Sequence, residues 1–166
     1  RMSLVPYLYS AFEDYQKTGL PPVRAVAMEY PKDEAARNLD DEYFFGKDLL
    51  VCPLTLEDGT SREVYLPEGN WYNFFTGEKI KGGRRLVMEA DWNEMLVFAR
   101  EGALIPIAAP VMCVTEDTVF DITVKSFGTN KTGSCVLYED DFVSYNYENA
   151  QNTDIESESA KSEKTN

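Results

Sequence analysis

The chain has 166 residues, of which 43% are hydrophobic and 13% aromatic, and its formal net charge is −13. This length and apolar content predict a folded core and exclude a largely disordered chain. The acidic charge excludes nucleic acid and anionic membranes as expected partners, because both require a cationic surface. The sequence has no apolar run long enough to cross a membrane and no recognisable signal peptide, so no membrane association is predicted.

Histidine is absent, and the three cysteines, Cys52, Cys113 and Cys135, lie far apart in apolar stretches. We therefore expect buried, reduced thiols rather than a disulfide or a zinc site, and no cofactor is predicted. Reduced thiols favour a cytoplasmic location, whereas the N-x-T sequon at Asn130 points toward secretion.

The first part of the chain predicts one helix followed by one strand. Apolar residues recur at helical spacing over residues 3–18, and Gly19 ends the helix. Residues 23–28 form a short apolar strand that stops before Pro31. Helix, short loop and buried strand in this order are typical of one αβ step in a parallel α/β structure.

From Tyr43 onward the pattern changes to short strands at close spacing, which is typical of an antiparallel β-sandwich. The predicted strands are 49–52, 62–66, 71–75, 85–88, 95–99, 103–107, 120–125, 134–138 and 143–147. The fully apolar strand 49–52 is expected at the centre of a sheet. Strands 120–125 and 134–138 are expected to pair as a hairpin, and the polar residues 151–166 are expected to form a mobile tail.

Two acidic clusters, residues 40–42 and 139–141, are candidates for catalysis by paired carboxylates. Such chemistry requires two carboxyl groups that face each other about 5–9 Å apart, whereas consecutive residues in a turn point apart. Both clusters are therefore predicted to be solvated turns. The missing histidine excludes the usual nucleophilic triads, and residues 82–85 are predicted to be a hairpin turn rather than a phosphate-binding loop. No catalytic, cofactor-binding or metal-binding residue is assigned.

An aromatic set could provide a stacking platform for sugars; its members are Trp71, Tyr72, Phe74, Phe75 and Trp92. Aromatic residues that alternate along a sandwich strand are more often half core and half interface, and we favour that interpretation. The platform remains an alternative.

Several runs, in order, resemble the C-terminal third of glycoside hydrolase family 31, the retaining α-glucosidase and α-xylosidase family. They are RMSLVPYLYS at 1–10, GLPPVRA with EYP at 19–31, FGKDLLVCP at 45–53, VYLPEGNWYNFFTG at 64–77, REGALIP at 100–106 and LYEDD at 137–141. The VRA at residues 23–25, where many α-glucosidases have Arg-Pro, favours the α-xylosidase-like branch.

The resemblance implies a mainly β architecture with four parts. Residues 1–48 would be the end of a (β/α)₈ catalytic barrel, as a helix and a strand, and 49–110 the proximal C-terminal β-sandwich. Residues 111–150 would start or shorten the distal sandwich, and 151–166 would be a flexible tail. In the family, an Asp nucleophile and an Asp general acid/base lie on earlier barrel loops, so both would lie upstream of Arg1.

The resemblance thus implies a structural, non-catalytic fragment of a retaining α-glycosidase that acts on O-glycosidic bonds. Its partners would be the rest of the barrel, within the same polypeptide, and the oligosaccharide substrate of the whole enzyme. Two alternatives stay open. One is a carbohydrate-binding β-sandwich module that uses Trp71, Tyr72 and Trp92. The other is a protein-interaction domain that docks through the apolar faces of residues 3–31.

Overall fold

A computed structural model of the protein describes residues 2–55, 60–91, 93–115, 118–128, 133–140, 144–145 and 153–156. Its helices are a 3₁₀ turn (Met2–Leu4), α1 (Val5–Thr18) and α2 (Val26–Glu29). Its strands are β1 (Val23–Ala25), β2 (Tyr43–Phe45), β3 (Leu49–Cys52), β4 (Ser61–Leu66), β5 (Asn70–Asn73), β6 (Lys79–Lys81), β7 (Arg84–Glu89), β8 (Leu96–Arg100), β9 (Leu104–Ala108), β10 (Ile122–Ser126), β11 (Ser134–Leu137) and β12 (Thr153–Glu156). No helix among these residues is long and apolar enough to cross a membrane.

The chain divides into two compact units. We call residues 22–101 the middle unit, and residues 1–21 together with 102–166 the terminal unit. The division into four parts that the resemblance implies, 1–48, 49–110, 111–150 and 151–166, stays a prediction.

The middle unit is a two-layer antiparallel sandwich. One layer is a six-stranded sheet in the order β1-β2-β3-β8-β5-β6, and the other is the pair β4-β7. Phe44, Trp71 and Phe98 of the large sheet share one buried core with Val64 and Leu66 of the smaller layer. Strand β3 lies between β2 and β8 and is buried along its whole length, which confirms the predicted central strand.

Strand β1 differs from its prediction in length and direction. The strand ends at Ala25, and Val26–Glu29 turn into the short helix α2, because a short apolar run does not distinguish a strand from a helical turn. Val23 pairs with Phe45 in antiparallel register, so the αβ step does not produce a parallel neighbour. Every strand pairing in the described residues is antiparallel.

Two turns carry the chain between the layers of the middle unit. Residues 67–69 connect β4 to β5, and Gly82 with Gly83 connects β6 to β7, so residues 82–85 are not the predicted hairpin turn between paired strands. The two turns are hydrogen-bonded to each other. The Gly82 amide donates to Gly69 O and the Gly83 amide donates to Leu66 O, both at 2.8 Å.

The terminal unit contains α1 and two antiparallel pairs. The predicted helix over residues 3–18 is confirmed, and it ends at Gly19, whose φ of 74° is the left-handed cap that glycine favours. Helix α1 packs against β9 and β11.

The predicted hairpin between 120–125 and 134–138 is wrong, because each strand finds a different partner. Strand β10 pairs with β9, and β11 pairs with β12. In the polar stretch predicted as a mobile tail, the described residues Thr153–Glu156 form strand β12, which corrects the prediction there, and the other residues of the stretch lie outside the described ones. Most of the predicted strand at 143–147 lies outside the described residues.

Replacing Gly82 by alanine should destabilise the middle unit. A Cβ at this position would lie 2.0 Å from Pro67 O and 2.8 Å from Trp71 Nε1. The two turns that connect the layers would therefore have to move apart. We expect the free energy of unfolding to fall by about 1–3 kcal/mol, as in overpacked cores. Urea denaturation of the full chain measures it.

Lys81→Ala is the neighbouring control, since Lys81 is exposed and its change should cost less than about 0.5 kcal/mol. Equal stability of Gly82→Ala and the wild type would contradict the close approach of the two turns.

Candidate functional site

Arg100, the last residue of β8, lies among three aromatic rings of the middle unit. Its guanidinium carbon is 4.5 Å from the ring centre of Phe44, 5.5 Å from that of Tyr30 and 6.0 Å from that of Trp71. Its Nη2 donates to Glu29 Oε2 at 2.9 Å. The cation is therefore held by ring faces and by one carboxylate.

Arg24 of β1 binds the other oxygen of the same carboxylate. Its Nε donates to Glu29 Oε1 at 2.7 Å, and its Nη1 donates to Gly46 O at 2.9 Å. Burial raises the pKa of Glu29, but hydrogen bonds from Arg100 and Arg24 outweigh it and hold the pKa below its usual value. An ionised carboxylate bridging two arginines is a structural tie, since a general acid needs a raised pKa.

Glu42 corrects the prediction that residues 40–42 form a solvated turn. Its side chain is 1% exposed, and its Oε1 accepts the Tyr65 amide at 2.7 Å and lies 3.5 Å from Arg62 Nη2. The same nitrogen of Arg62 donates to Asp41 Oδ2 at 2.7 Å. Burial raises the pKa of Glu42 to about 7, although the Tyr65 amide and the Arg62 charge oppose the rise. Asp40 is exposed as predicted.

The cysteines follow their prediction only in part. All three are free thiols, but only Cys52 is buried, whereas Cys135 is half-buried and Cys113 is exposed in an irregular stretch after β9. Burial, with the nearby Glu42 charge, raises the pKa of the Cys52 thiol and makes it unreactive. The described residues contain no group of three or more Cys, Asp and Glu side chains that could hold a metal ion.

The structure favours the core interpretation of the aromatic set over the alternative of a sugar-stacking platform. Trp71 is 1% exposed, and its Nε1 donates to Pro67 O at 2.8 Å inside the core. Phe74 is also buried, whereas Phe75 is 64% exposed. The Tyr72 hydroxyl donates to Glu101 at 3.4 Å. Trp92 lies outside the described residues. A buried indole cannot stack on a sugar, so the interpretation of Trp71 as a binding residue is wrong.

A different aromatic feature lies in the terminal unit, and we call it the tyrosine groove. It consists of two hollows of about 250 and 290 Å³, and Tyr9, Tyr138 and Asp140 line both of them. The Tyr9 and Tyr138 hydroxyls donate to the same oxygen of Asp140 at 2.6 and 2.9 Å, and their ring centres are 5.3 Å apart. Burial, with the Asp140 hydrogen bond and charge, raises the pKa of Tyr9.

The second acidic cluster, residues 139–141, was predicted to be a solvated turn, and the structure confirms this for one of its residues and corrects it for another. Glu139 is exposed, as expected of a solvated turn, whereas Asp140 is half-buried between two tyrosine hydroxyls. Asp141 lies outside the described residues. Sequence analysis missed Tyr9 and Tyr138 as functional candidates, although both stand inside the runs PYLY and LYEDD.

The fold defines the class of this protein as a mainly β, antiparallel domain with an N-terminal helix. Residues 19–105, slightly more than half of the chain, match the model of the glycosyl hydrolase family 31 C-terminal domain. The chain belongs to glycosyl hydrolase family 31. The resemblance seen in the sequence and the expected fold class are thereby confirmed.

Curated relatives and solved structures agree with this assignment. The chain is 34% identical over 149 residues to alpha-glucosidase 2 of Bacillus thermoamyloliquefaciens and 33% identical over 149 residues to an alpha-xylosidase of Saccharolobus solfataricus. These alignments cover 89% of the chain but only 19% and 20% of the two enzymes. A dextranase of Flavobacterium johnsoniae, solved with isomaltotriose, superposes on 93% of the chain with a TM-score of 0.86 and 35% identity, over 20% of its own length.

The stability of the middle unit should depend on pH through Glu42. The folded pKa of about 7 lies above the ordinary value of 4.5, so the folded state binds more protons between these values and stability falls as the pH rises through the interval. Glu42→Gln keeps the acceptor for the Tyr65 amide and does not titrate. Relative to this variant, the wild type should lose roughly 3 kcal/mol of unfolding free energy between pH 4.5 and 7.

Denaturant titrations at several pH values measure this difference. Parallel stability curves for the wild type and Glu42→Gln would contradict the burial of an ionisable carboxyl at this position.

Removing the Glu29 charge should destabilise the middle unit because two arginines lose their counter-charge. We expect Glu29→Gln to cost on the order of 2 kcal/mol of unfolding free energy, since the pair is largely buried. The Glu29 and Arg100 side chains are 19% and 27% exposed.

The matched control is Glu63→Gln. Glu63 pairs with Arg85 at 2.8 Å with both side chains about half exposed, and such pairs contribute at most about 1 kcal/mol. If the two variants lost the same stability, the Arg100 site would be no more than a surface ion pair.

Proposed function

We propose that the chain is the C-terminal part of a retaining α-glycosidase of the α-glucosidase or α-xylosidase type. In this proposal the part is structural, and both catalytic carboxylates lie on upstream segments of the barrel. The observation that carries the proposal is the alignment of 89% of the chain with about one fifth of each of two enzymes, an alpha-glucosidase and an alpha-xylosidase.

The carboxylates of the described sites support a non-catalytic role. Retaining hydrolysis needs two carboxyl groups about 5–5.5 Å apart on either side of the scissile bond. Glu29 bridges two arginines, Glu42 is enclosed in a core, and Asp140 accepts two tyrosine hydroxyls. Glu29 and Asp140 are thus bound by side chains of the protein itself, and the Glu42 side chain is 1% exposed and out of reach of a substrate.

The structural role that we propose is to brace the barrel. The resemblance assigns β1 to the end of the barrel and β8 to the proximal sandwich. Glu29 follows β1 and binds Arg100 of β8, while Arg24 of β1 binds the same carboxylate. This tie would transmit the rigidity of the sandwich core to the last strand of the catalytic domain.

The exposed apolar side chains of the terminal unit fit the same proposal. Tyr15 and Leu20, near the C-terminal end of α1 and just after it, are 45% and 43% exposed. A contiguous patch of exposed apolar side chains marks a contact surface, and we propose that these residues belong to one. In the proposed enzyme they are covered by the preceding part of the same polypeptide, which makes the rest of the barrel the partner of this surface.

The substrate class follows from the relatives. An alpha-glucosidase, an alpha-xylosidase and a dextranase solved with isomaltotriose align with this chain. We therefore propose an α-linked glucoside or xyloside as the substrate of the whole enzyme.

The isolated chain should hydrolyse neither p-nitrophenyl α-glucoside nor p-nitrophenyl α-xyloside, because both carboxylates of the reaction are proposed to lie elsewhere. The measurement is release of p-nitrophenol by the purified 166-residue chain, compared with a polypeptide that includes the coding sequence upstream of Arg1. The extended polypeptide should turn over one of the two substrates. Turnover by the pure chain, or an upstream sequence without two candidate Asp residues, would overturn the proposal.

A further inference from the structure

The tyrosine groove has no role in the proposed bracing function. Its two hollows are built by the first turns of α1, the irregular residues before β10 and the end of β11. The walls of the first include Val5, Tyr9, Phe120, Tyr138, Glu139 and Asp140. The second adds Phe12, Glu13 and Gln16 to the three shared residues. The groove thus combines aromatic and aliphatic walls with a small number of polar groups.

Tyr9, Tyr138 and Asp140 form the wall that the two hollows share, and this wall has a fixed geometry. The rings of Tyr9 and Tyr138 are inclined at 52°, and both hydroxyls are bound by one oxygen of Asp140. The backbone of the wall is also anchored, because the Tyr138 amide donates to Ser10 Oγ at 3.0 Å. A ligand therefore meets a preformed surface and loses little free energy to ordering it.

The chemistry of the walls matches a sugar ring. A pyranose offers an apolar C–H face, which packs on aromatic rings, and a rim of hydroxyls, which bind carboxylates and amides. Each hollow is slightly smaller than the pockets of about 300–1,000 Å³ that hold drug-sized ligands. Two adjoining hollows of this size suit two consecutive sugar rings better than one large molecule.

Other ligand classes fit the groove less well. Glu13, Glu139 and Asp140 disfavour anions such as phosphates. An organic cation is the stronger competitor, because aromatic faces and carboxylates also attract cations. However, two hydroxyl donors offset the Asp140 charge, and Lys17 binds Glu13 at 2.7 Å. These contacts reduce the attraction for a cation and thereby favour a neutral ligand.

The geometry points to a second, non-catalytic sugar site: the tyrosine groove binds a short α-linked glucose oligosaccharide. The choice of sugar rests on the proposed function, in which the whole enzyme acts on α-linked substrates. Such a site holds a longer glucan on the C-terminal part while the barrel acts on one of its ends.

The test is a titration of the full 166-residue chain with isomaltotriose, followed by isothermal calorimetry and saturation-transfer NMR. We expect saturable, millimolar binding with transfer to the sugar C–H protons. Phe12→Ala removes an exposed wall, and Asp140→Asn removes the charge while keeping the shape. Each should weaken binding about threefold to tenfold, which is the contribution of one aromatic or polar contact.

Two matched controls keep the result specific. Phe75→Ala removes an exposed phenylalanine of the middle unit, and Asp14→Asn removes an exposed acid of α1 that does not line the groove. Both should leave binding unchanged. Circular dichroism verifies that each variant is folded, and Phe12→Ala still tests the groove if Asp140→Asn unfolds.

Three outcomes would overturn the inference. They are no saturable binding of isomaltotriose, binding that is lost in Phe75→Ala but kept in Phe12→Ala, and displacement of isomaltotriose by tetramethylammonium at lower concentration than by maltotriose. None of them bears on the hydrolysis assays, which test the proposed function separately. Failure of the sugar site and failure of the α-glycosidase assignment are therefore distinguishable.

Discussion

The middle unit depends on how it places one cation, the guanidinium of Arg100. The ring faces of Phe44, Tyr30 and Trp71 surround it, and Glu29 neutralises it. A cation at the edge of an apolar core is tolerated only with such partners, because desolvation of an unpaired charge is costly. These contacts connect β8 with β2, with β5 and with the short helix α2 that follows β1. The buried core and the tie to the proposed barrel strand therefore share the side chain of Arg100.

Much of this fold was predictable from local pattern. The helical spacing of residues 3–18 and the left-handed cap at Gly19 fixed α1, and the uninterrupted apolar run in β3 indicated a central strand. Partner choice was not predictable in this way. Residues 82–85 look like a hairpin turn, but the strands on either side of them do not pair with each other: β6 pairs with the preceding strand β5, and β7 pairs with β4. A turn motif specifies a change of direction, whereas pairing is decided by tertiary packing.

The polar sites show the same division between local and distant information. Consecutive acidic residues in a turn predict solvated side chains, and Asp40 is indeed exposed. Glu42 is instead buried by contacts with Arg62 and Tyr65, which are 20 and 23 residues further along the chain. The groove was missed for an equivalent reason. Tyr9 and Asp140 are 131 residues apart, and neither is unusual in its own neighbourhood. The family resemblance covers both segments, but only the folded structure shows that these two side chains are in contact.

The strand order of the large sheet also constrains how the protein is made. Strand β8 lies between β3 and β5, although it is synthesised after both of them. Until residues 96–100 leave the ribosome, β3 and β5 each present an unpaired edge, and the space between them is empty. Arg100 arrives last in this strand, at the position where its guanidinium closes over the rings of Phe44 and Trp71. The large sheet is therefore completed only after β8 has been synthesised, and a chain that stops before this strand would leave two unpaired, aggregation-prone edges.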